Sequence, residues 1–418
     1  MLPVWRVILA VALCTNLTLA ANWPGWRGPT SDGHAPDKEL PLTWSAKENV
    51  RWKVDLPGPG SSSPIVWGDR VFITQSLDKQ GKRRAVMCFQ KADGKLVWQK
   101  ETAYPEVEPT HGTNPYCSAT PVTDGKRVIA SHGSAGMVCY DFDGKEMWRY
   151  DLGKLYHVWG TASSPILYGD LVILWCGPGE RQFLLAVNKH NGKKVWRTDI
   201  PGGRFGKTQA DWLGSWSTPI IPRIGDHDEL IVGVPEKLKG FDPKTGAELW
   251  SCDGLGKLVY SSPVCSPEGI VVAFSGFYGP AMAVKAGGKG DVTKTHLLWH
   301  HTKGNQQCIG SPVLVGEHVY LIREPGQAQC FEIKSGKNLW DKHRAGDRTW
   351  SSLVAGAGRL YIGNDAGEVH VLAASPRFQL LAKNVLSTGI IHGTIAIADG
   401  ELFIRSHQHL WCISNKSP

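Results

Sequence analysis

The chain has 418 residues, 42% of them hydrophobic and 20% charged, which excludes a disordered polymer and leaves room for a large core. Its formal charge of +8 comes from Lys and Arg scattered through turn segments, a solvated surface rather than a nucleic-acid stripe. Beyond the first 20 residues, no run approaches the roughly 20 apolar residues of a membrane span.

Residues 1–21 read as a secretory signal peptide: Arg6, an apolar run from Val7 to Leu13, then small or polar residues up to Ala20 and Ala21, where cleavage is expected. Cys14 suggests a lipid-attachment site, but Leu13 stands where such signals want a small residue, so a soluble exported chain is expected. Residues 22–48, NWPGWRGPTSDGHAPDKELP onward, show no strand alternation and read as an irregular arm laid over the body and pinned by Trp23, Trp26 and Trp44.

From residue 49 a repeat takes over. DGKLVW at Asp93 to Trp98 returns as DGKEMW, NGKKVW, TGAELW and SGKNLW, with THLLWH as a degenerate copy and Trp52 preceding the first. Trp52, Trp98, Trp148, Trp196, Trp250, Trp299 and Trp340 are thus spaced by 46, 50, 48, 54, 49 and 41 residues, the period of a radial or solenoid array. Within the first unit, Ser63 to Trp67, Arg70 to Gln75, Arg84 to Gln90 and Lys95 to Lys100 alternate and are divided by Gly-Asp or Asp-Gly turns, the pattern of a four-stranded antiparallel meander.

A second marker counts the units independently. Ser or Thr precedes Pro64, Pro121, Pro165, Pro219, Pro263 and Pro312, and the same position precedes Leu353 and Ile395, giving eight. The eighth unit ends one strand short, and Asn49 to Val54 is an unused strand at the other end. An all-β, eight-bladed propeller over residues 49–418, closed by the N-terminal strand, uses both and removes exposed sheet edges.

The tryptophan copies, the Ser-Pro lead-ins and the WPGWRGP arm resemble the pyrroloquinoline-quinone-like (PQQ-like) propeller repeat family, which includes outer-membrane assembly factors of the BamB type and quinoprotein dehydrogenases. The resemblance implies that the seven tryptophans dock one blade on the next. It leaves function open, since the fold carries both scaffolds and enzymes.

Cys88, Cys139, Cys330 and Cys412 recur at one strand position and read as small core residues. There is no C-x-x-C or adjacent pair, which argues against a zinc knuckle or dithiol centre; one disulfide, Cys117 with Cys308, is left open. His407 and His409 lie on one side of an extended segment but have no third metal ligand.

Short turns occupy one face of the propeller and long, individual connections the other, where recognition belongs. That face places Tyr116, Trp159, Trp216, Tyr260 and Trp350 close before the inner strands, with His157, Arg204, Trp212, Arg323 and His392 nearby. These residues read either as an aromatic, cation-bearing funnel or as packing that plugs the channel. The expectation is an exported, periplasmic or extracellular monomer, non-catalytic, without a cofactor, metal or nucleic-acid partner, binding a protein, peptide or glycan at the funnel. The alternative is a dehydrogenase using PQQ with calcium; such enzymes carry adjacent cysteines against the quinone, and this sequence has none.

Overall fold

The computed structural model describes residues 21–201, 203, 212–303, 305–386 and 389–415, and in it eight antiparallel blades stand around one axis. The signal segment therefore lies almost entirely outside the described residues. The first blade contains Ile65–Trp67, Arg70–Ser76, Arg83–Gln90 and Leu96–Ala103, from the axis outward. The eighth is Ala396–Ala398, Glu401–Arg405 and His409–Ile413, and Val50–Asp55 supplies its outer strand, with Trp52 opposite Cys412. The two unpaired leftovers of the sequence do join. Two blades are abbreviated: the inner strand of the fourth is a bridge between Ile220 and Ile231, and the outer strand of the sixth one between Phe331 and Asn338.

The tryptophans form a belt on the outer strands. At six blade junctions the indole N–H donates to a carbonyl in the next blade's turn: Trp52 to Lys91, Trp98 to Phe142, Trp148 to Lys189, Trp196 to Pro243, Trp299 to Ile333 and Trp340 to Pro376. The turn glycine makes this stacking feasible. At Gly94 (φ +75°) a Cβ would fall 2.7 Å from the Trp52 ring, and Gly192 stands likewise over Trp148. Opposite each strand tryptophan is a small residue: Cys412, Cys88, Cys139, Ala186, Gly240 or Ala283. The repeated cysteine is thus a spacer for the indole, and burial pushes the Cys88 thiol up to about 12. The disulfide left open in the sequence is not formed, since Cys117 and Cys308 are both buried free thiols.

Trp250, which reads as a regular copy, is the exception. The next blade's turn is lengthened by an edge strand at Gly290–Asp291 and a helical turn at Thr293–His296, and the edge strand pairs beside Trp250 itself. The Trp250 indole instead donates to the buried Glu229 carboxylate of its own blade, at 2.6 Å. The looser copy, Trp299, docks regularly.

Close to the axis, the Ser/Thr-Pro lead-ins form a closed ring. The backbone N–H of Ser63 donates to the Thr120 hydroxyl (2.8 Å), Thr120 to Ser164, Ser164 to Thr218, Thr218 to Ser262, Ser262 to Ser311, Ser311 to Ser352, Ser352 to Thr394, and Thr394 back to Ser63 (2.9 Å). The residue just before each ring member points the other way. At three blades it is a serine that ties the lead-in to its own second strand, Ser62 to Thr74, Ser261 to Phe274 and Ser351 to Gly363, whereas Ser163 donates to the Ser217 carbonyl of the next lead-in.

The arm does more than lie over the body: it loops into the axial channel from the short-turn face and returns to that face, held at the turns around Gly68, Arg359 and Gly400. Trp23 pairs with Val66, the Pro24 carbonyl accepts from Thr123, Arg27 donates to the Pro312 carbonyl, and Gly33 and Ala35 bond Ala355, so inner strands of the first, second, sixth and seventh blades all hold it. It is irregular because it must meet strands pointing inward from several directions. Leaving the channel, it supplies Leu40 and Trp44 to the core between the seventh and eighth blades, where the outer strand Leu380–Val385 carries no tryptophan.

Buried polar groups fasten further junctions. The Arg405 guanidinium joins the last blade to the first through Ser62, the Thr74 carbonyl (2.8 Å) and Gln75 (2.6 Å). Arg84 reaches the His132 carbonyl across the first junction, and burial, with Arg84 nearby, holds the His132 imidazole down at about 3.

Two measurements check this account. Ser262→Ala strands the buried Thr218 N–H and is expected to cost about 1–3 kcal/mol in equilibrium unfolding; an unchanged midpoint would show that the ring contributes nothing. His132 and His157 are held neutral when folded, down at about 3 and about 4 respectively, both by burial. The unfolded chain therefore takes up protons first, so their contribution is complete above pH 6.5 and is lost as pH falls toward 4, at about 1.4 kcal/mol per pH unit per histidine. Denaturant titrations of His132→Gln at several pH values should show a shallower acid decline.

Candidate functional site

The irregular face opens into a pocket of about 430 Å³ on the axis, within the usual range of small-ligand sites. Its architecture follows from strand alternation. Side chains two residues apart on an extended segment share a face, so the residue two before each ring hydroxyl also faces the axis. All eight of these line the pocket as a second layer above the ring, and seven of the ring hydroxyls form the layer below. The upper layer is small on one side, at Ser61, Ser118 and Ala162, and large on the other, at Trp216, Tyr260, Ile309, Trp350 and His392. That lopsidedness opens the space.

The pocket is blind. Trp26 of the arm lines it from below, with its indole N–H on the Thr394 hydroxyl at 3.3 Å and the Arg27 guanidinium 5.7 Å from its ring. Arg27 is 1% exposed, and burial lowers it to about 10.

On one wall, Trp159, Trp216 and Tyr260 pack edge-on and tilted, with centroids 5.8 Å apart between the tryptophans and 5.1 Å between Trp216 and Tyr260. The Trp216 N–H is fixed on the Gly160 carbonyl at 2.9 Å. The facing wall is a polar relay. Trp350 donates to Glu324, His392 stacks on Trp350 at 5.2 Å and pairs with Asp365 at 2.8 Å, and the Arg348 Nε lies 3.9 Å from both carboxylates. Burial, outweighing the Trp350 hydrogen bond, raises Glu324 above the usual carboxylate value.

Of the residues singled out in the sequence, the structure brings Trp159, Trp216, Tyr260, Trp350 and His392 to the pocket. The others go elsewhere. Tyr116 lies four residues before its ring threonine and turns into a cavity between blades, under Arg84, with its hydroxyl on the Glu108 carbonyl. His157 is buried behind the wall, its ring 4.9 Å from Trp216, and Trp212 packs edge-on against Trp159. Arg323 is buried, bonded to Gln329 and the Gln306 carbonyl, and is a structural cation rather than a funnel one. Arg204 lies outside the described residues. His407 and His409 do not converge: a bend at residues 407–408 sends His407 toward His392 (5.1 Å) and His409 toward Asp55 (3.3 Å).

Sequence reasoning missed Trp26, Glu324 as partner of Trp350, and the hydroxyl floor. Counting two residues back from each lead-in hydroxyl would have separated the upper layer from Tyr116 and His157.

The arrangement can stack flat or ring-shaped groups and offer hydroxyl, carboxylate and guanidinium edges. Among the described residues no group of three or more His, Cys, Asp or Glu side chains is placed to hold a metal ion, and no helix is long and apolar enough to cross a membrane.

A family model described as outer membrane protein assembly factor BamB matches residues 82–342. BamB of Yersinia pestis is 21% identical over 317 residues, covering 69% of this chain and 73% of the relative. Among solved structures, BamB from Moraxella catarrhalis superposes with a TM-score of 0.60 at 14% identity over 88% of this chain and 97% of the other. A europium-containing methanol dehydrogenase superposes at 0.69 with 10% identity over 92% and 89%, which shows the shared propeller alone. With more than half of its length matched, the chain belongs to the BamB family of PQQ-like propellers.

Proposed function

We propose that the protein is an exported, non-catalytic scaffold that holds a partner at its irregular face, in the manner suggested by relatives described as outer-membrane assembly factors. The supporting observation is the blind, two-layered pocket: a rigid aromatic and hydroxyl-lined recess at the centre of the variable face, built to receive one protruding group of a larger partner. Its floor is a structural ring and its base an arm fixed in the channel, so it is preorganised and binding costs little reordering.

The same residues bear on the dehydrogenase alternative. PQQ is a flat tricarboxylate used with a divalent cation and, in the enzymes resembled, an adjacent cysteine pair. Here the lining carries a single guanidinium, Arg348, opposed by Glu324; among the described residues no three His, Cys, Asp or Glu side chains are grouped to hold a metal ion, and the sequence has no adjacent cysteines. The residues present do not fit that group.

Two experiments bear on the proposal. A partner cross-linked to the protein in envelope preparations of the source organism should be lost with Trp350→Ala at unchanged folding; its retention would remove the pocket from the account. Stoichiometric uptake of PQQ with calcium, accompanied by dye-linked oxidation of an alcohol, would overturn the scaffold reading.

A further inference from the structure

The pocket's polar chemistry narrows what can enter it. Each ring hydroxyl already accepts a backbone N–H from the preceding blade. What it has left is one O–H to donate and one lone pair to offer, except at Thr394, whose second lone pair is taken by the Trp26 indole N–H. The main-chain donors at the same level are all consumed by the ring. An extended peptide gains its affinity from rows of free main-chain N–H and C=O groups, and the floor provides no such row of donors. A ligand made for this floor carries hydroxyls that both donate and accept.

The walls agree. Trp159, Trp216 and Tyr260 on one side and Trp350 on the other offer ring surfaces for apolar C–H faces, while Glu324, Asn114 and Gln307 offer planar polar edges. A six-membered sugar ring has that division: apolar faces and a polar equator. Charge gives the remaining restriction. The lining holds one carboxylate, Glu324, and one guanidinium, Arg348, whose Nε lies 3.9 Å from Glu324 and from Asp365 behind it, so there is no cationic surplus for a strongly anionic ligand.

We propose that the pocket is a carbohydrate site that takes a neutral pyranoside of one or two residues, either free or as the exposed end of a larger glycan. The volume of about 430 Å³ limits the enclosed part to that size, and the opening on the irregular face lets a longer chain continue outward. The aromatic walls select for rings with an unbroken apolar face, and the hydroxyl floor reads the equatorial groups that point down. The inference rests on the scaffold reading only in taking the irregular face as the contact surface, and it names what is held there.

The test is isothermal titration of the full exported chain with maltose, cellobiose and diacetylchitobiose at millimolar concentration, with tryptophan fluorescence as a second readout. At least one should bind. Trp350→Ala should weaken it about tenfold, and Ala162→Trp, which fills the small-residue side at a side chain that makes no hydrogen bond, should abolish it while leaving the thermal midpoint in place. Binding that survives Ala162→Trp would put the sugar elsewhere and overturn the proposal. So would failure of all three disaccharides to bind. If a cross-linked protein partner still depended on Trp350 in that case, the scaffold reading would stand without the glycan.

Discussion

Eight backbone N–H groups, each closed on a hydroxyl of the next blade, are the constraint on which the rest of this propeller depends. The innermost strands are where eight sheets crowd together, and the lead-in amides there are cut off from water. An unpaired buried amide costs about 1–3 kcal/mol, so a side-chain acceptor from the neighbouring blade answers a need that sheet pairing within a blade cannot. Because donor and acceptor belong to successive blades, the same bond that satisfies the backbone also sets blade spacing. It fixes the direction of the two residues ahead of it as well, and so places the pocket wall.

The outer belt solves the complementary problem. Away from the axis the blades splay, and an indole with 150–250 Å² of surface is the side chain that spans the gap. It requires a glycine in the turn it covers and a small residue opposite it, which is why Gly94 and Gly192 recur at one position of the motif and Cys88 or Ala186 in the strand before. Where the belt departs from its rule, the chain substitutes something specific. The lengthened turn before Trp299 redirects Trp250 onto Glu229, and the arm brings Trp44 to the junction that has no outer tryptophan.

Blade number, closure by the N-terminal strand and the docking tryptophans were legible because each rests on a residue type that recurs at fixed spacing. The pocket was half legible. Trp216, Tyr260, Trp350 and His392 occupy one alternation position and reach the axis, whereas Tyr116 and His157 are aromatic neighbours in sequence whose offset turns them into the body. Arg323 looked like a recognition cation because its partners, Gln329 and the Gln306 carbonyl, come together only when the blade folds. The arm was illegible for a different reason. Its partners are the inner strands of four blades far apart in the chain, and a segment shaped by so many long-range contacts has no period of its own.

The arm's position also orders the making of the protein. Residues 21–42 are synthesised before any blade, yet their seat includes Ala355 in the seventh blade and Asp399 and Gly400 in the eighth, and Val50–Asp55 waits for His409–Ile413. No nascent fragment can therefore reach the native axis. The early blades must form as an open arc carrying an unplaced N-terminal thread, and the final turns of synthesis shut the circle upon it. A chain built this way cannot release a finished pocket before its last strand has been delivered, so a truncated product has no binding face to present.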